Sequence, residues 1–352
     1  MKIARRMENL SPSVTMAITA LARELKAQGK DILSFSAGEP DFDTPNVIKE
    51  TAINAIKDGH TKYTAVEGTI ETKKAIINKL KKDHGLEYQL DEIIVSNGAK
   101  HSLFNLFQCL IEEEDEVIIP APYWVTYPEQ VKFSNGTPVF IETNDSTNFK
   151  ISAEQLKAAI SPKTKILLLN TPSNPTGAVY TKEELLALSE VLKETDILVI
   201  SDEMYEKIMY DGKEFTAVAS ISEDMFKRTI TINGISKAVA MTGWRYGYLA
   251  TPHKALVKAM IKLQGQVTSN VNSVTLAAAI TALDGSANAD IEMMRKEFEK
   301  RRDIAVSQFN AIEGLSCVKP DGAFYLFVNI KEVDIDSMQF AADLLEEEGV
   351  AV

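Results

Sequence analysis

The chain has 352 residues and an ordinary globular composition, with 45% hydrophobic and 25% charged residues. Its formal net charge of −12 argues against a nucleic acid or an anionic membrane as the main partner, because an acidic surface repels polyanions. The two cysteines form no redox or metal-binding pair, and the N-terminus has no apolar signal segment. We therefore expect a cytoplasmic protein that binds small molecules and no membrane.

Helical patterns alternate with short apolar segments from residue 44 to about residue 263, which is typical of an α/β domain with a mostly parallel sheet. The sequence Thr44-Pro45 predicts a helix start, and Val47, Ala52, Ile53 and Ile56 are expected to supply much of one face of that helix. Two capping boxes, Ser152 with Gln155 and Thr181 with Glu184, predict two further helix starts. Seven strands are predicted at residues 93–95, 117–119, 139–141, 166–169, 197–200, 229–232 and 246–250.

Longer helices follow from about residue 271, including a charged helix at 291–312 and a helix at 337–348, with a strand at 324–330 between them. We assign residues 41–275 to a large α/β domain whose seven-stranded sheet lies between helices. Residues 1–40, with a helix at 13–28, and residues 276–352 are assigned to a smaller α/β domain made from both chain ends.

Motifs of several common α/β enzymes are absent from the sequence. There is no G-x-G-x-x-G, no G-x-x-x-x-G-K-[ST] and no G-x-S-x-G, which argues against dinucleotide-binding proteins, P-loop proteins and serine hydrolases. The histidines lack the spacing of metal ligands, so we expect no metal. The four histidines are His60, His84, His101 and His253.

Three motifs occur in a fixed order along the chain: Asn170-Thr-Pro-Ser-Asn174-Pro-Thr-Gly177, Asp202-Glu-Met-Tyr205, and a Ser-Lys pair followed eight residues later by Arg245. In this order they resemble the motifs of the class I (fold type I) pyridoxal-phosphate-dependent aminotransferases. The resemblance extends from about residue 13 to the end of the chain, and it is strongest with the bacterial aspartate aminotransferase branch.

The resemblance implies the roles of several residues at the cofactor ring. Lys237 would hold pyridoxal 5'-phosphate through an imine, and Asp202 would pair with the ring nitrogen. Tyr205 and Asn174 would bind the phenolic oxygen, and Trp124 would stack on the ring. Lys237, Asp202 and Tyr205 would be the catalytic residues. By the same resemblance, the peptide bonds before Pro175 and Pro122 are expected to be cis.

The cofactor phosphate is expected at Gly98, Ala99 and Lys100, which end a predicted strand and open a helix. A helix N-terminus binds anions through its backbone N–H groups and its dipole. Arg245 would add a charge-assisted partner. The chain has Gly234 where many members of the family have a serine for the phosphate. Tyr63 resembles a residue that reaches the phosphate site of the neighbouring subunit, which implies a homodimer with shared active sites.

The resemblance also implies the substrate contacts. The amide of Gly38 would bind the substrate α-carboxylate, near Asn174 and Trp124. Thr15 and Lys100 stand at the positions that bind the distal carboxylate of aspartate or glutamate in one branch of the family. Members of the family continue beyond the position of Val352 with an arginine that binds the α-carboxylate, so two expectations stay open: a sequence truncated at this end, or a protein that lacks this arginine.

The function implied is ping-pong transamination between an amino acid and a 2-oxo acid, with aspartate and 2-oxoglutarate as the expected pair. Lys237 would act as the general base at the substrate Cα. Three alternatives remain open: an aminotransferase for aromatic or other neutral amino acids, a pyridoxal-phosphate-dependent lyase or synthase of the same fold, and a non-catalytic protein that binds the cofactor.

Overall fold

The computed structural model describes residues 1–8, 10–12, 14–333 and 335–352. The helices in these ranges are Val14–Ala27 (α1), Asn46–Lys57 (α2), Ile70–His84 (α3), Ala99–Leu110 (α4), Thr126–Phe133 (α5), Ala153–Ala159 (α6), Lys182–Leu192 (α7), Glu223–Arg228 (α8), Lys254–Val267 (α9), Ser273–Leu283 (α10), Asn288–Phe309 (α11) and Ser337–Glu348 (α12). The strands are Leu33–Ser34 (β1), Ile93–Ser96 (β2), Glu116–Ala121 (β3), Thr137–Glu142 (β4), Thr164–Asn170 (β5), Leu198–Asp202 (β6), Thr229–Gly234 (β7), Gly247–Ala250 (β8), Ser316–Cys317 (β9), Val328–Asn329 (β10) and Val350–Ala351 (β11).

A seven-stranded sheet forms the centre of the fold, with the strand order β2-β8-β7-β6-β5-β3-β4. Strand β8 runs antiparallel to both of its neighbours, and the other pairs are parallel. The inner strands are buried on both faces, as shown by Ile118, Leu167 and Ile200, because helices cover both sides of the sheet. The predicted fold class and all seven predicted strands are confirmed.

The two predicted capping boxes are confirmed at the starts of α6 and α7. The Ser152 hydroxyl accepts from the Gln155 N–H at 3.2 Å, and the Gln155 side chain accepts from the Ser152 N–H at 3.0 Å. Thr181 and Glu184 exchange the same pair of bonds at 3.2 and 2.7 Å. Each pair satisfies N–H groups that the first helical turn leaves without an internal partner.

The prediction for helix α2 was wrong in two respects. Pro45 itself occupies the cap position, because the Thr44 hydroxyl donates to the Ala240 carbonyl at 2.8 Å instead. Of the predicted face only Ala52 is buried, together with Ile48 and Ala55. The apolar side chains of Val47, Ile53 and Ile56 are exposed, so α2 presents an apolar outer surface that a single chain leaves in contact with solvent.

The predicted strand at 324–330 is also mostly wrong, since only Val328–Asn329 pairs, with β9. The backbone turns at Ala323, whose φ is +57° and whose N–H donates to the Ile208 carbonyl at 3.0 Å. This turn directs the rings of Phe324 and Tyr325 towards Tyr205. The predicted helix at 337–348 is present as α12.

The two ends of the chain pack together. Strand β1 pairs in parallel with β11, and a small buried cluster joins Ala22, Ile32, Leu345 and Ala351. The division into residues 41–275 and the two ends stays a prediction. Residue 275 lies inside α10, whose Leu276 and Ala279 belong to the same core cluster as Ile48 of α2, so a boundary there would divide a packed helix.

Among the residues that the structure describes, no helix combines the length and the apolar character needed to cross a bilayer.

Candidate active site

The site lies at one edge of the central sheet, where the carboxyl ends of β2, β3, β5, β6 and β7 meet. Strand β8 begins at the same edge because it runs in the opposite direction. In open α/β sheets this edge is where ligands bind. The predicted site residues just beyond the strand ends are Gly98, Trp124, Asn174, Asp202 and Lys237, and Arg245 comes just before β8.

Asp202 ends strand β6 and is only 4% exposed. Its Oδ2 accepts a hydrogen bond from the Tyr127 hydroxyl at 2.8 Å, and its Oδ1 accepts from the Met204 N–H at 3.2 Å. Burial raises the pKa of Asp202 to about 6, although the Tyr127 bond and the charge of Lys237 act in the opposite direction. A buried carboxylate of this kind is stabilised by a cationic partner.

Lys237 follows strand β7 by three residues, and its Nζ donates to the Gly38 carbonyl at 2.6 Å. Burial lowers the pKa of Lys237 to about 8, opposed by the negative charge of Glu39 and assisted by the positive charge of Arg245. The side chain therefore changes its protonation state near neutral pH. An amine in this condition can both accept and return a proton.

Three polar groups meet beside Lys237. The hydroxyls of Tyr205 and Tyr325 are 2.6 Å apart, and the Asn174 amide donates to the Tyr325 hydroxyl at 3.4 Å. Burial, and after it the neighbouring Tyr325, raises the pKa of Tyr205 well above its ordinary value. A β-carbon on Gly38 would lie 2.9 Å from the Tyr325 hydroxyl, so the glycine lets its backbone approach this group.

Asn174 is held in place from the neighbouring strand ends. Asn170 and Asp202 are cross-strand partners on β5 and β6. The Asn170 amide donates to the Asp202 carbonyl at 3.0 Å, and its Oδ1 accepts from the Asn174 N–H at 2.7 Å. The peptide bonds before Pro175 and Pro122 are cis, as expected, and the bond before Pro172 is cis as well.

Two glycines shape the N-terminus of α4. Gly98 has a φ of +88°, and the helix begins after it with no side-chain cap. A β-carbon on Gly247 would clash with the Ala99 backbone, so β8 can lie directly against the start of α4. Arg245 therefore lies beside this N-terminus, with its Nη1 donating to the Thr242 carbonyl at 2.9 Å. The arrangement brings a guanidinium and a helix N-terminus together, and both attract anions.

Gly234 also has a packing reason. It pairs with Gly247 across β7 and β8, and a β-carbon on Gly234 would lie 2.8 Å from the Tyr246 carbonyl oxygen. A serine at this position would therefore require the strands to move.

Lys100 and Trp124 form one side of the site. The Nζ of Lys100 lies 4.8 Å from the centre of the Trp124 ring. Partial burial, which desolvates the ammonium, and the positive charge of Arg245 lower the pKa of Lys100, so an anion placed between these cations would be favoured. The Trp124 ring in turn packs edge-on against Tyr127, with ring centres 5.3 Å apart.

Two predicted residues are not part of the group described above. Tyr63 lies in the loop between α2 and α3, and its side chain is 90% exposed. The side chain of Thr15 lies outside the part of the chain that the structure describes.

Sequence reasoning missed Tyr127 and Tyr325. Tyr127 lies on α5, three residues after Trp124. The available signal was its closeness in sequence to a predicted site residue. Tyr325 lies in the run Ala323-Phe-Tyr-Leu-Phe, which has the pattern of a strand and gave no sign of a turn into the site.

One cluster elsewhere contains residue types that bind metals, namely Asp83, His84 and Glu206. Lys79 forms an ion pair with Glu206, and its Nζ lies 3.4 Å from His84 Nε2 and 3.7 Å from Asp83 Oδ2. The lysine ammonium thus supplies positive charge to this group, which is an ion-pair network within the chain. The absence of a bound metal stays a prediction.

Comparisons with known proteins agree with this geometry. Residues 30–352 match the family model for aminotransferase class I and II. Aspartate aminotransferase of Bacillus subtilis is 50% identical over 100% of this chain and 90% of its own length. Aspartate/prephenate aminotransferase of Nitrosomonas europaea is 48% identical over 94% of this chain and 83% of its own length.

Solved structures give the same result. The aspartate aminotransferase from Rhizobium meliloti superimposes with a TM-score of 0.95 at 43% identity, covering 100% of this chain and 90% of that one. The enzyme from Thermus thermophilus with maleate gives a TM-score of 0.95 at 41% identity, covering 100% and 91%. The chain therefore belongs to the class I and II aminotransferases, enzymes that use pyridoxal phosphate.

Proposed function

We propose that this protein transfers an amino group between aspartate and 2-oxoglutarate by a ping-pong mechanism. The observation that carries the proposal is the placement of the Lys237 amine at the same sheet edge as the buried Asp202 carboxylate. Relatives about 50% identical are named aspartate aminotransferases. The Thermus thermophilus structure contains maleate, which is a dicarboxylate like both expected substrates and has four carbons like aspartate.

The chemistry of the residues fits pyridoxal phosphate. Asp202 would hold the ring nitrogen, and Tyr205 with Asn174 would hold the phenolic oxygen. Lys237 would bind the cofactor through Nζ, and Trp124 would cover one face of the ring. When bound, the cofactor supplies a protonated ring that accepts electron density from the substrate Cα.

The phosphate would be bound by Gly98, Ala99 and Lys100 at the start of α4, together with Arg245. The support is the uncapped helix N-terminus and the guanidinium beside it. Both groups are suited to a dianion, since the guanidinium can donate two parallel hydrogen bonds and the helix offers backbone N–H groups.

Lys237 is proposed to move the proton at the substrate Cα. Its pKa near 8 lets the neutral amine take this proton and the ammonium return it at working pH. The Gly38 carbonyl orients Nζ through a 2.6 Å hydrogen bond. Asp202 would keep the cofactor ring protonated, because the negative charge of its buried carboxylate would stabilise a positive charge on the ring nitrogen.

The substrate is proposed to lie between the Gly38 and Asn174 side of the site and the Lys100 side. Gly38, Asn174 and Trp124 would contact the α-carboxylate and Cα, and Thr15 with Lys100 would contact the distal carboxylate. The lowered pKa of Lys100 supports this assignment, since a second carboxylate would stabilise the charge of that ammonium.

The active form is proposed to be a cytoplasmic homodimer in which Tyr63 completes the phosphate site of the partner subunit. Tyr63 is 90% exposed, which is unusual for a functional tyrosine within a single chain. Exposed apolar side chains lie near its loop in sequence or on adjoining helices, namely Ile53, Ile56, Ile70 and Val267. Such a surface is typical of protein–protein contacts.

The direct test is to incubate the purified protein and pyridoxal phosphate with aspartate and 2-oxoglutarate and to measure glutamate. Lys237→Ala should abolish glutamate formation, and Lys157→Ala, at an exposed position of α6, should leave it unchanged. Release of ammonia or pyruvate in place of glutamate would favour a lyase. A panel with alanine, phenylalanine, glutamate and prephenate would separate aspartate specificity from a preference for neutral or aromatic substrates.

A further inference from the structure

Gln264 of helix α9 is fully buried, and its amide makes four hydrogen bonds. Its Oε1 accepts from the Ser96 hydroxyl at 2.8 Å and from the Asn105 amide at 3.2 Å. Its Nε2 donates to the Val66 carbonyl at 2.7 Å and to the Val95 carbonyl at 2.9 Å. Both donor hydrogens and both acceptor sites of the amide are therefore used.

The four partners belong to three separate segments. Val95 and Ser96 end strand β2, two residues before Gly98, and Asn105 lies on α4, which begins at the proposed phosphate site. Val66 lies in the loop that carries Tyr63. Gln264 therefore links, through one side chain, the strand end, the helix and the loop that are proposed to surround cofactor phosphates.

The loop is also packed closely against the strand end. The Val95 N–H donates to the Glu67 carbonyl at 3.0 Å, and a β-carbon on Gly68 would lie 2.8 Å from Val95 Cγ2. A change in the position of β2 is therefore transmitted to the segment 66–68. Tyr63, three residues earlier, would move with it.

Burial of α9 does not require this amide. The apolar side chains of Leu256, Val257 and Met260 already pack α9 into the core shared with α4. A buried amide contributes only a modest net stability, since its hydrogen bonds replace bonds to water, but its bonds fix direction and distance. The Gln264 amide therefore contributes more to the positions of its four partners than to the burial of α9.

We propose that Gln264 is a positioning residue for the cofactor phosphate: it sets the place of the α4 N-terminus and of the Tyr63 loop. The inference rests on the proposed phosphate site at Gly98, Ala99 and Arg245. Phosphate binding by backbone N–H groups depends on direction and on short distances, so a small displacement of α4 is enough to weaken it.

The experiment compares two ligands, pyridoxal phosphate and pyridoxal, which differ only by the phosphate. Dissociation constants are measured from cofactor absorbance for the wild-type protein, Gln264→Met, Ser96→Ala and the control Thr72→Val. Met has a similar length to Gln and forms no comparable hydrogen bonds. Thr72 is buried in α3, where its hydroxyl bonds to the Thr69 hydroxyl at 2.8 Å and donates to the Leu276 carbonyl at 3.3 Å. Its loss weakens the start of α3 and the contact with α10 but leaves the four bonds of Gln264 in place.

We expect Gln264→Met to weaken pyridoxal phosphate at least tenfold and pyridoxal less than threefold. Ser96→Ala, which removes one of the four bonds and keeps the rest of the fold, should weaken pyridoxal phosphate severalfold with the same selectivity. Thr72→Val should leave the ratio of the two constants unchanged while lowering the unfolding temperature.

Equal losses for the two ligands in Gln264→Met, or an unchanged ratio in Ser96→Ala, would show that Gln264 is a structural residue only. If Gln264→Met does not fold, the Ser96→Ala ratio decides the question. A wild-type protein that binds pyridoxal as tightly as pyridoxal phosphate would overturn the phosphate site and this inference together. If the wild-type protein prefers pyridoxal phosphate and Gln264→Met has the same ratio of dissociation constants, only the role of Gln264 is overturned.

Discussion

The guanidinium of Arg245 lies in the space that a side chain on Gly98 would fill, since a β-carbon there would stand 2.5 Å from Nη2. Gly98 also has a φ of +88°, a conformation that side chains disfavour. The approach of the arginine to the start of α4 therefore depends on the glycine for two separate reasons.

Gly98→Ala is expected to weaken pyridoxal phosphate by more than tenfold, because either the arginine or the helix N-terminus must move. Gly212→Ala is a matched control, since Gly212 also has a positive φ, of +68°, but no heavy atom within 4 Å of its added β-carbon. Both variants lose backbone stability, by about 1 kcal/mol. Equilibrium cofactor titration separates them, and an equal loss of affinity in the two variants would contradict the role of Arg245.

Asp202→Asn should stabilise the cofactor-free protein at high pH while it reduces turnover by orders of magnitude. The folded-state pKa of Asp202, about 6, lies above the ordinary value of 3.8. The folded form therefore binds this proton more tightly, so stability is lost as the pH rises from about 4 to about 6. Above pH 7 the ionised carboxylate lowers the free energy of unfolding by about 3 kcal/mol. The neutral amide of asparagine has no such penalty.

The measurement is chemical denaturation of the stripped protein at pH 8 and at pH 4.5, with the wild type alongside. The stabilising effect of Asp202→Asn should be largest at pH 8 and should shrink at pH 4.5. An effect of the same size at both pH values would mean that the ionisation of Asp202 is not its cause.

Tyr325→Phe should change the electronic state of the bound cofactor with little effect on the fold. The hydroxyl of Tyr325 lies 2.6 Å from that of Tyr205 and donates to the Gly38 carbonyl at 3.5 Å. With the Tyr325 proton directed to Gly38, Tyr205 is the donor between the two hydroxyls and shares its proton with Tyr325. If Tyr205 binds the phenolic oxygen as proposed, it would donate fully to that oxygen in the variant, which favours the negative charge there. The pH midpoint of the cofactor's colour change should fall by about half a unit or more, on the order of 1 kcal/mol.

Tyr180→Phe is the control for this change, since Tyr180 is a buried tyrosine whose hydroxyl accepts from the Ile151 N–H at 3.0 Å, outside the site. It should lower stability and leave the spectral midpoint in place. A midpoint unchanged in Tyr325→Phe would show that Tyr205 and Tyr325 do not compete for one hydrogen bond.

Lys100→Met should raise the KM for aspartate and glutamate far more than the KM for alanine or phenylalanine. Methionine keeps most of the contact with the Trp124 ring, which Lys100 Nζ now faces at 4.8 Å, and removes only the charge. A distal carboxylate without a cation in a partly desolvated site should lose roughly 2 kcal/mol of binding free energy, which raises the KM about thirtyfold. Equal losses for all four amino acids would instead assign Lys100 to the phosphate or to the fold.

Much of the fold followed from local sequence, because strand length, apolar runs and capping boxes such as Thr181 with Glu184 are encoded within a few residues. The residues of the three motifs were also found this way. Tyr127 and Tyr325 were missed because each reaches the site only through the packing of a different segment. Most of the buried face of α2 was missed for a related reason: periodicity shows that Ile48 and Ile53 lie on different faces, but not which face meets the core.

The proposed dimer shares its active sites between subunits. If Tyr63 serves the partner's site, Tyr63→Ala and Lys237→Ala dimers should each have little activity, but a hybrid of the two has one site with both residues intact. Random exchange makes half of the dimers hybrids, so activity should rise to about a quarter of the wild-type value. If Tyr63 served its own chain, each site of the hybrid would lack one residue, and mixing would restore nothing. Subunit exchange is verified with differently tagged chains, and activity that stays at the level of the separate variants despite proven hybrids would exclude a shared site.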